Sequence, residues 1–121
     1  MIRLKAVFVS ACLVFIAGCY YGNEDDLFPD SECVTENVSY SNVVKKIIET
    51  NCIVCHSAGA NLGNVNLSSY ENVKVYVTNG KLLGSINREP GFSPMPQNAS
   101  KLRDCDIDRI ASWIADGSPN N

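Results

Sequence analysis

Cys52-Ile53-Val54-Cys55-His56 is the stretch from which the rest of this chain is best read. Two thiols stand with two residues between them, and an imidazole follows the second thiol at once. C-x-x-C-H is the attachment pattern of a c-type haem. Two thiols add across the two vinyl groups of one porphyrin, and the spacing sets the separation of the sulfurs. The adjacent imidazole then reaches the iron from the same side. Two other chemistries use such a thiol pair. A zinc site could be completed by His56, Cys33 and Cys105, although Cys55 and His56 are awkward neighbours as ligands of one tetrahedral ion. A thiol–disulfide exchange site is the other, but that site normally opens a helix after a strand, and here a helical pattern precedes the motif.

The chain has 121 residues, room for one domain at most. Residues 1–18 read as a signal peptide. Arg3 and Lys5 form a positive start, and the apolar run from Ala6 to Ala17 is short for a permanent membrane span. The run ends in Phe15-Ile16-Ala17-Gly18-Cys19, which resembles the lipobox of bacterial lipoproteins. That likeness implies cleavage before Cys19 and acylation of Cys19. Residues 19–38 are polar and acidic, with Gly22, Pro29 and no apolar period, and read as a flexible tether. The folded domain is expected over 39–121. With 13 Asp+Glu against 10 Lys+Arg, the chain lacks the basic balance of a nucleic-acid binder.

The cysteines sort by elimination. Cys12 lies in the leader, Cys19 takes the lipid, and Cys52 and Cys55 belong to the motif. Cys33 and Cys105 remain, and in an oxidising envelope compartment they are expected to pair. A bridge across so long a loop restrains the unfolded chain by about 4 kcal/mol.

The expected fold class is all-α. Ser41 is placed as the cap of a helix to about Thr50, with Val43, Val44, Ile47 and Ile48 on one face. Leu67 to Val77 is ambiguous. Val73, Val75 and Val77 alternate as in a strand, and Asn79-Gly80 is a hairpin signal. Tyr70, Val73 and Val77 also fit a helix behind Ser68 or Ser69, and a haem setting favours the helix, ended by Gly80. Leu82, Leu83 and Ile86 are then expected to line the pocket. Asn87 to Ser100 reads as a loop holding Pro90, Pro94 and Pro96. Asp104 is placed as the cap of a last helix whose buried face is Ile107, Ile110, Trp113 and Ile114, closed by Gly117 and Pro119.

A bound haem needs a second axial ligand or an open site. His56 is the single histidine, and Met1 leaves with the leader, so Met95 is the one thioether in the mature chain. It stands in Ser93-Pro94-Met95-Pro96, where the prolines restrict the backbone, in a polar loop that suits a gap-filling core methionine poorly.

On these residues, from about Tyr40 to Asn120, the chain resembles the class I (mono-haem) cytochromes c. The resemblance rests on a helix running into Cys52-Ile53-Val54-Cys55-His56, the loop Pro94-Met95-Pro96, and a last helix carrying Trp113. It implies three to four short helices wrapped around one covalent haem c. Cys52 and Cys55 would carry the thioether bonds, with His56 as proximal and Met95 as distal iron ligand. The first and last helices would pack through Val44, Ile47 and Ile48 against Ile110, Trp113 and Ile114.

The expected function is electron transfer without enzymatic turnover, between redox-partner proteins of the cell envelope. The expected location is the periplasm or cell surface, anchored to the membrane by the N-terminal lipid, with the outer membrane favoured because Tyr20 follows Cys19. A haem peroxidase or gas sensor with a labile Met95, and a structural zinc domain, are the alternatives. Lys81, Arg88 and Lys101 read as solvated charge.

Overall fold

The computed structural model describes residues 33–121. The leader, Cys19 and the tether up to residue 32 lie outside the described residues. Among the described residues the secondary structure is helical, without strands. A π-helical turn, Tyr40–Val44, runs directly into α1, Lys45–Asn51. A single turn, α2, covers Ile53–His56, and a 3-10 turn follows at Leu62–Asn64. Then come α3 (Tyr70–Thr78), α4 (Lys81–Asn87) and α5 (Asp104–Ala115). These are five α-helical segments where three to four were expected, because a kink at Cys52 separates α2 from α1.

Two caps differ from the sequence reading. The first helix is capped by Ser39 and not by Ser41: the Ser39 hydroxyl accepts from Asn42 N–H, and the helix opens two residues earlier, at Tyr40. The earlier start buries Tyr40 in the core. Asp104 is the first residue of α5 and not its cap, a position held by Arg103. The Arg103 side chain makes no capping bond and pairs with Asp106 at 3.0 Å. Asp104 and Asp106 serve that helix end through their charge, in the first turn where the helix dipole favours anions. For α3, Ser69 is the cap, accepting from Asn72 N–H. Gly80 follows the end of α3 at φ 75°, a left-handed position suited to glycine, and hands the chain to α4.

The core gathers Tyr40, Val44, Ile47 and Ile48 from the first helix, Val73 from α3, Leu82 and Ile86 from α4, and Ile107, Ile110 and Trp113 from α5. The helices follow one another in space: α3 packs on α4, α4 on α5, and α5 on the opening turn of the first helix. The first and last helices therefore meet mainly through Tyr40–Val44, at the start of the face expected from sequence. Tyr40 stacks 5.6 Å from Trp113 and meets Tyr70 edge-on at 5.0 Å. Asn121 closes this end by accepting from Tyr40 N–H with its side chain and from Ser41 N–H with its carbonyl, both at 2.8 Å. The Trp113 indole N–H donates to Pro119 carbonyl at 2.9 Å.

The compact unit starts at Cys33, ahead of the sequence boundary at 39. Val38 is buried in the core, and Ser112 of α5 donates to the Thr35 carbonyl. Cys33 and Cys105, 72 residues apart, are joined by a disulfide with Cα atoms 5.7 Å apart. The bridge pins this strap to the first turn of α5. No helix among the described residues is long and apolar enough to cross a membrane.

Candidate functional site

The motif is a turn of helix, and its spacing follows from that. Residues at i, i+3 and i+4 share one helical face, so Cys52, Cys55 and His56 line up while the two residues between turn elsewhere. Cys55 N–H and His56 N–H both donate to the Cys52 carbonyl, at 3.1 and 2.9 Å. Cys52 N–H in turn donates to Ile48 carbonyl at 2.8 Å, so the turn hangs directly on α1. Ile53 packs against the core and Val54 is 82% exposed.

That face forms one wall of a cavity of about 500 Å³. Leu67 and Val65 continue the wall beyond the motif, Leu82, Ser85 and Ile86 of α4 bring in another side, and Phe92 and Met95 come from the loop after α4. Met95, distant in sequence from the motif, thus borders the same space as Cys52, Cys55 and His56. Its volume lies in the range of small-molecule and cofactor sites. Leu83, expected to line the pocket with Leu82 and Ile86, packs against the core instead, because it falls on another side of α4.

The loop bearing Met95 is tied to α4. Met95 N–H donates to Ser85 carbonyl at 3.0 Å, and the Met95–Pro96 peptide bond is cis. On the other side of the cavity, Leu67 N–H donates to the His56 carbonyl at 2.7 Å and Ala58 N–H to Ser68 Oγ at 3.0 Å. These bonds close the loop that follows the motif. His56 Nδ1 is buried with no hydrogen-bond partner. A structural histidine in a core satisfies its buried nitrogen, so this ring is placed by packing and by its helix.

Cys52 and Cys55 are free thiols, not joined to each other. Burial pushes the Cys52 thiol up to about 11. Thiols that exchange disulfides are shifted the other way, towards the thiolate. The zinc reading loses two of its ligands, because Cys33 and Cys105 are bonded to each other. Among the described residues, no three His, Cys, Asp or Glu side chains gather as a metal site.

Of the three cations noted in the sequence, Lys81 alone lines the cavity. Arg88 donates to Ala99 carbonyl at 2.7 Å, and Lys101 pairs with Asp104 at 3.2 Å. A second, more open depression of about 520 Å³ lies on the Arg88, Pro94 and Asn98 side of the loop and includes none of the four site residues. Sequence reasoning missed Phe92 and Ser85 as site residues. The run of small and polar residues around them gave no periodic signal.

Compared with protein-family models, with curated proteins and with solved structures, the chain finds no match.

Proposed function

We propose that this protein is an exported electron carrier that holds one covalent haem c in the cavity between α2 and the Met95 loop. The observation that carries the reading is the meeting of Cys52, Cys55, His56 and Met95 around one space. The attachment motif alone accounts for three of the four. Met95, tied to α4 by its bond to Ser85 and lining the same cavity, is the part a chance C-x-x-C-H would not supply.

The residues present fit the group. Both thiols are free and border the cavity, and the imidazole has no structural partner at its buried nitrogen. Cys52 and Cys55 would hold the porphyrin by adding their S–H bonds across its two vinyl groups, sulfur to one carbon and hydrogen to the other. His56 and Met95 would be the protein ligands of the iron. The group supplies a reversible one-electron change at iron. The chain's own part is to tune and protect it. A thioether ligand favours the ferrous state and raises the potential relative to two histidines. Leu67, Leu82 and Ile86 give the cavity an apolar lining that would keep water from the iron, and Met95 would take the position that oxygen or peroxide needs.

The export and lipid anchor through Cys19, the envelope location with the outer membrane favoured, and the membership of the class I cytochromes c belong to the same proposal. They rest on the leader, the lipobox likeness and the motifs. The protein's partners would be envelope redox proteins. The test is a haem stain of the exported protein after denaturing electrophoresis. Retained stain, lost in a Cys52→Ala, Cys55→Ala variant, is the expected result. A colourless band would overturn the reading.

A further inference from the structure

Gly84 is buried within α4, at a backbone conformation that needs no glycine. Glycine inside a helix is disfavoured relative to alanine, so local structure does not account for it. Packing does. A methyl group at position 84 would lie 2.6 Å from Phe92 Cδ2 and 2.7 Å from Cε2 and Cγ, closer than real contacts permit. The Phe92 ring therefore seats directly on the bare Cα of Gly84, in a notch that only glycine leaves open.

The same ring lines the cavity, three residues before Met95. The backbone around it is anchored to the same turn of α4. Glu89 N–H donates to Gly84 carbonyl at 2.9 Å, Phe92 N–H to Glu89 carbonyl at 3.2 Å, and Met95 N–H to Ser85 carbonyl at 3.0 Å. The loop from Arg88 to Met95 is thus held at both ends by Gly84 and Ser85, with the Phe92 ring as the wedge between. We infer that Gly84 and Phe92 form a positioning joint that sets where the Met95 side chain stands in the cavity. Gly84 is a positioning residue in this scheme, and touches no ligand itself. The inference rests on Met95 being the distal iron ligand.

The test uses the haem-loaded full chain and three readouts: the methionine-to-iron charge-transfer absorption of the oxidised protein, the reduction potential, and the rate of carbon monoxide binding to the reduced protein. Overpacking by one methyl against a ring forces a shift of side chain or backbone. Gly84→Ala is expected to weaken the absorption, lower the potential and speed carbon monoxide binding, at unchanged helix content. Phe92→Leu in the Gly84→Ala background relieves the clash and is expected to restore the absorption. Phe92→Ala alone, which removes the wedge, is expected to weaken it.

Full absorption and unchanged potential in both Gly84→Ala and Phe92→Ala would overturn the joint. So would loss of haem from both, since the pair would then support the whole cavity rather than Met95. Should Gly84→Ala fail to fold, Phe92→Ala decides alone by the same criterion. Failure of the underlying reading is distinct: in that case Met95→Ala itself leaves the parent's absorption unchanged.

Discussion

Met95 and Ser85 are joined through their backbones, the Met95 N–H donating to the Ser85 carbonyl at 3.0 Å. This bond ties the Met95 end of the loop to the helix whose Leu82 and Ile86 wall the cavity, as the Glu89 N–H bond to the Gly84 carbonyl ties its start. Through these bonds a methionine in a proline-rich loop lines the same cavity as Cys52, Cys55 and His56. The site depends on α4 as much as on the motif.

The strap from Cys33 to Val38 depends on its disulfide. Replacing Cys33 and Cys105 together by Ser should cost about 2–5 kcal/mol, read as a lowered midpoint in thermal or denaturant unfolding. Without the bridge the strap keeps the hydrogen bonds from Ser112 to the Thr35 carbonyl and from Arg109 to the Val34 carbonyl. Reduction of the wild type should give the same loss, and an unchanged midpoint would show that the bridge does not hold the strap.

Much of this is legible in the amino-acid sequence. Ile47, Ile48, Ile110 and Trp113 announce buried faces by period alone, and the leftover cysteines announce their pair. Other features arise from contacts distant in sequence. Ser39 and Ser41 are both competent caps, and the choice is made by Tyr40, which gains burial against Trp113 and Tyr70 when the helix starts earlier. The clasp of Asn121 on Tyr40 and Ser41 has no local signature. Leu67 to Val77 carries a strand-like alternation, and the outcome is decided by the Ser69 cap and by packing on α4.

Ile110 is 1% exposed at the centre of α5. Ile110→Ala should destabilise the fold by about 2–5 kcal/mol, and Asp108→Ala, on the exposed side of the same helix, by no more than about 0.5 kcal/mol. Chemical denaturation of the two variants compares them. Equal losses would contradict the assignment of the buried face.

Tyr40 holds its phenol proton more tightly than the usual 10.0, first through burial and then through the charges of Glu71 and Glu49 and the neighbouring Tyr70. The folded state therefore keeps a proton that the unfolded state releases. That contribution is whole below the unfolded value and is lost as pH rises from there through the folded one. Tyr40→Phe should remove this part of the alkaline loss while leaving neutral-pH stability nearly unchanged. Unfolding midpoints from about pH 8 to about pH 11, spanning the ordinary tyrosine range, check it. Parallel pH curves for the two proteins would refute it.

Tyr70 Oη donates to the Ser118 carbonyl at 2.7 Å, tying α3 to the turn after α5. Lys74 Nζ reaches the Gly117 carbonyl at 2.7 Å and shares the Ser118 carbonyl. Tyr70→Phe should cost about 0.5–1.5 kcal/mol in urea unfolding. In combination with Lys74→Met the loss should fall short of the sum, or exceed it, because the two donors share one acceptor. Strict additivity would mean that they act separately.

The central claim is a six-coordinate haem held by Cys52, Cys55, His56 and Met95. A redox titration of the exported full chain, with spectra in both states, tests it most directly when run beside Met95→Ala. The account predicts one reversible one-electron transition, with a methionine-to-iron absorption in the oxidised parent that is absent from Met95→Ala, whose potential is lower. A colourless protein with reactive thiols at Cys52 and Cys55, or an oxidised spectrum unchanged by Met95→Ala, would contradict it.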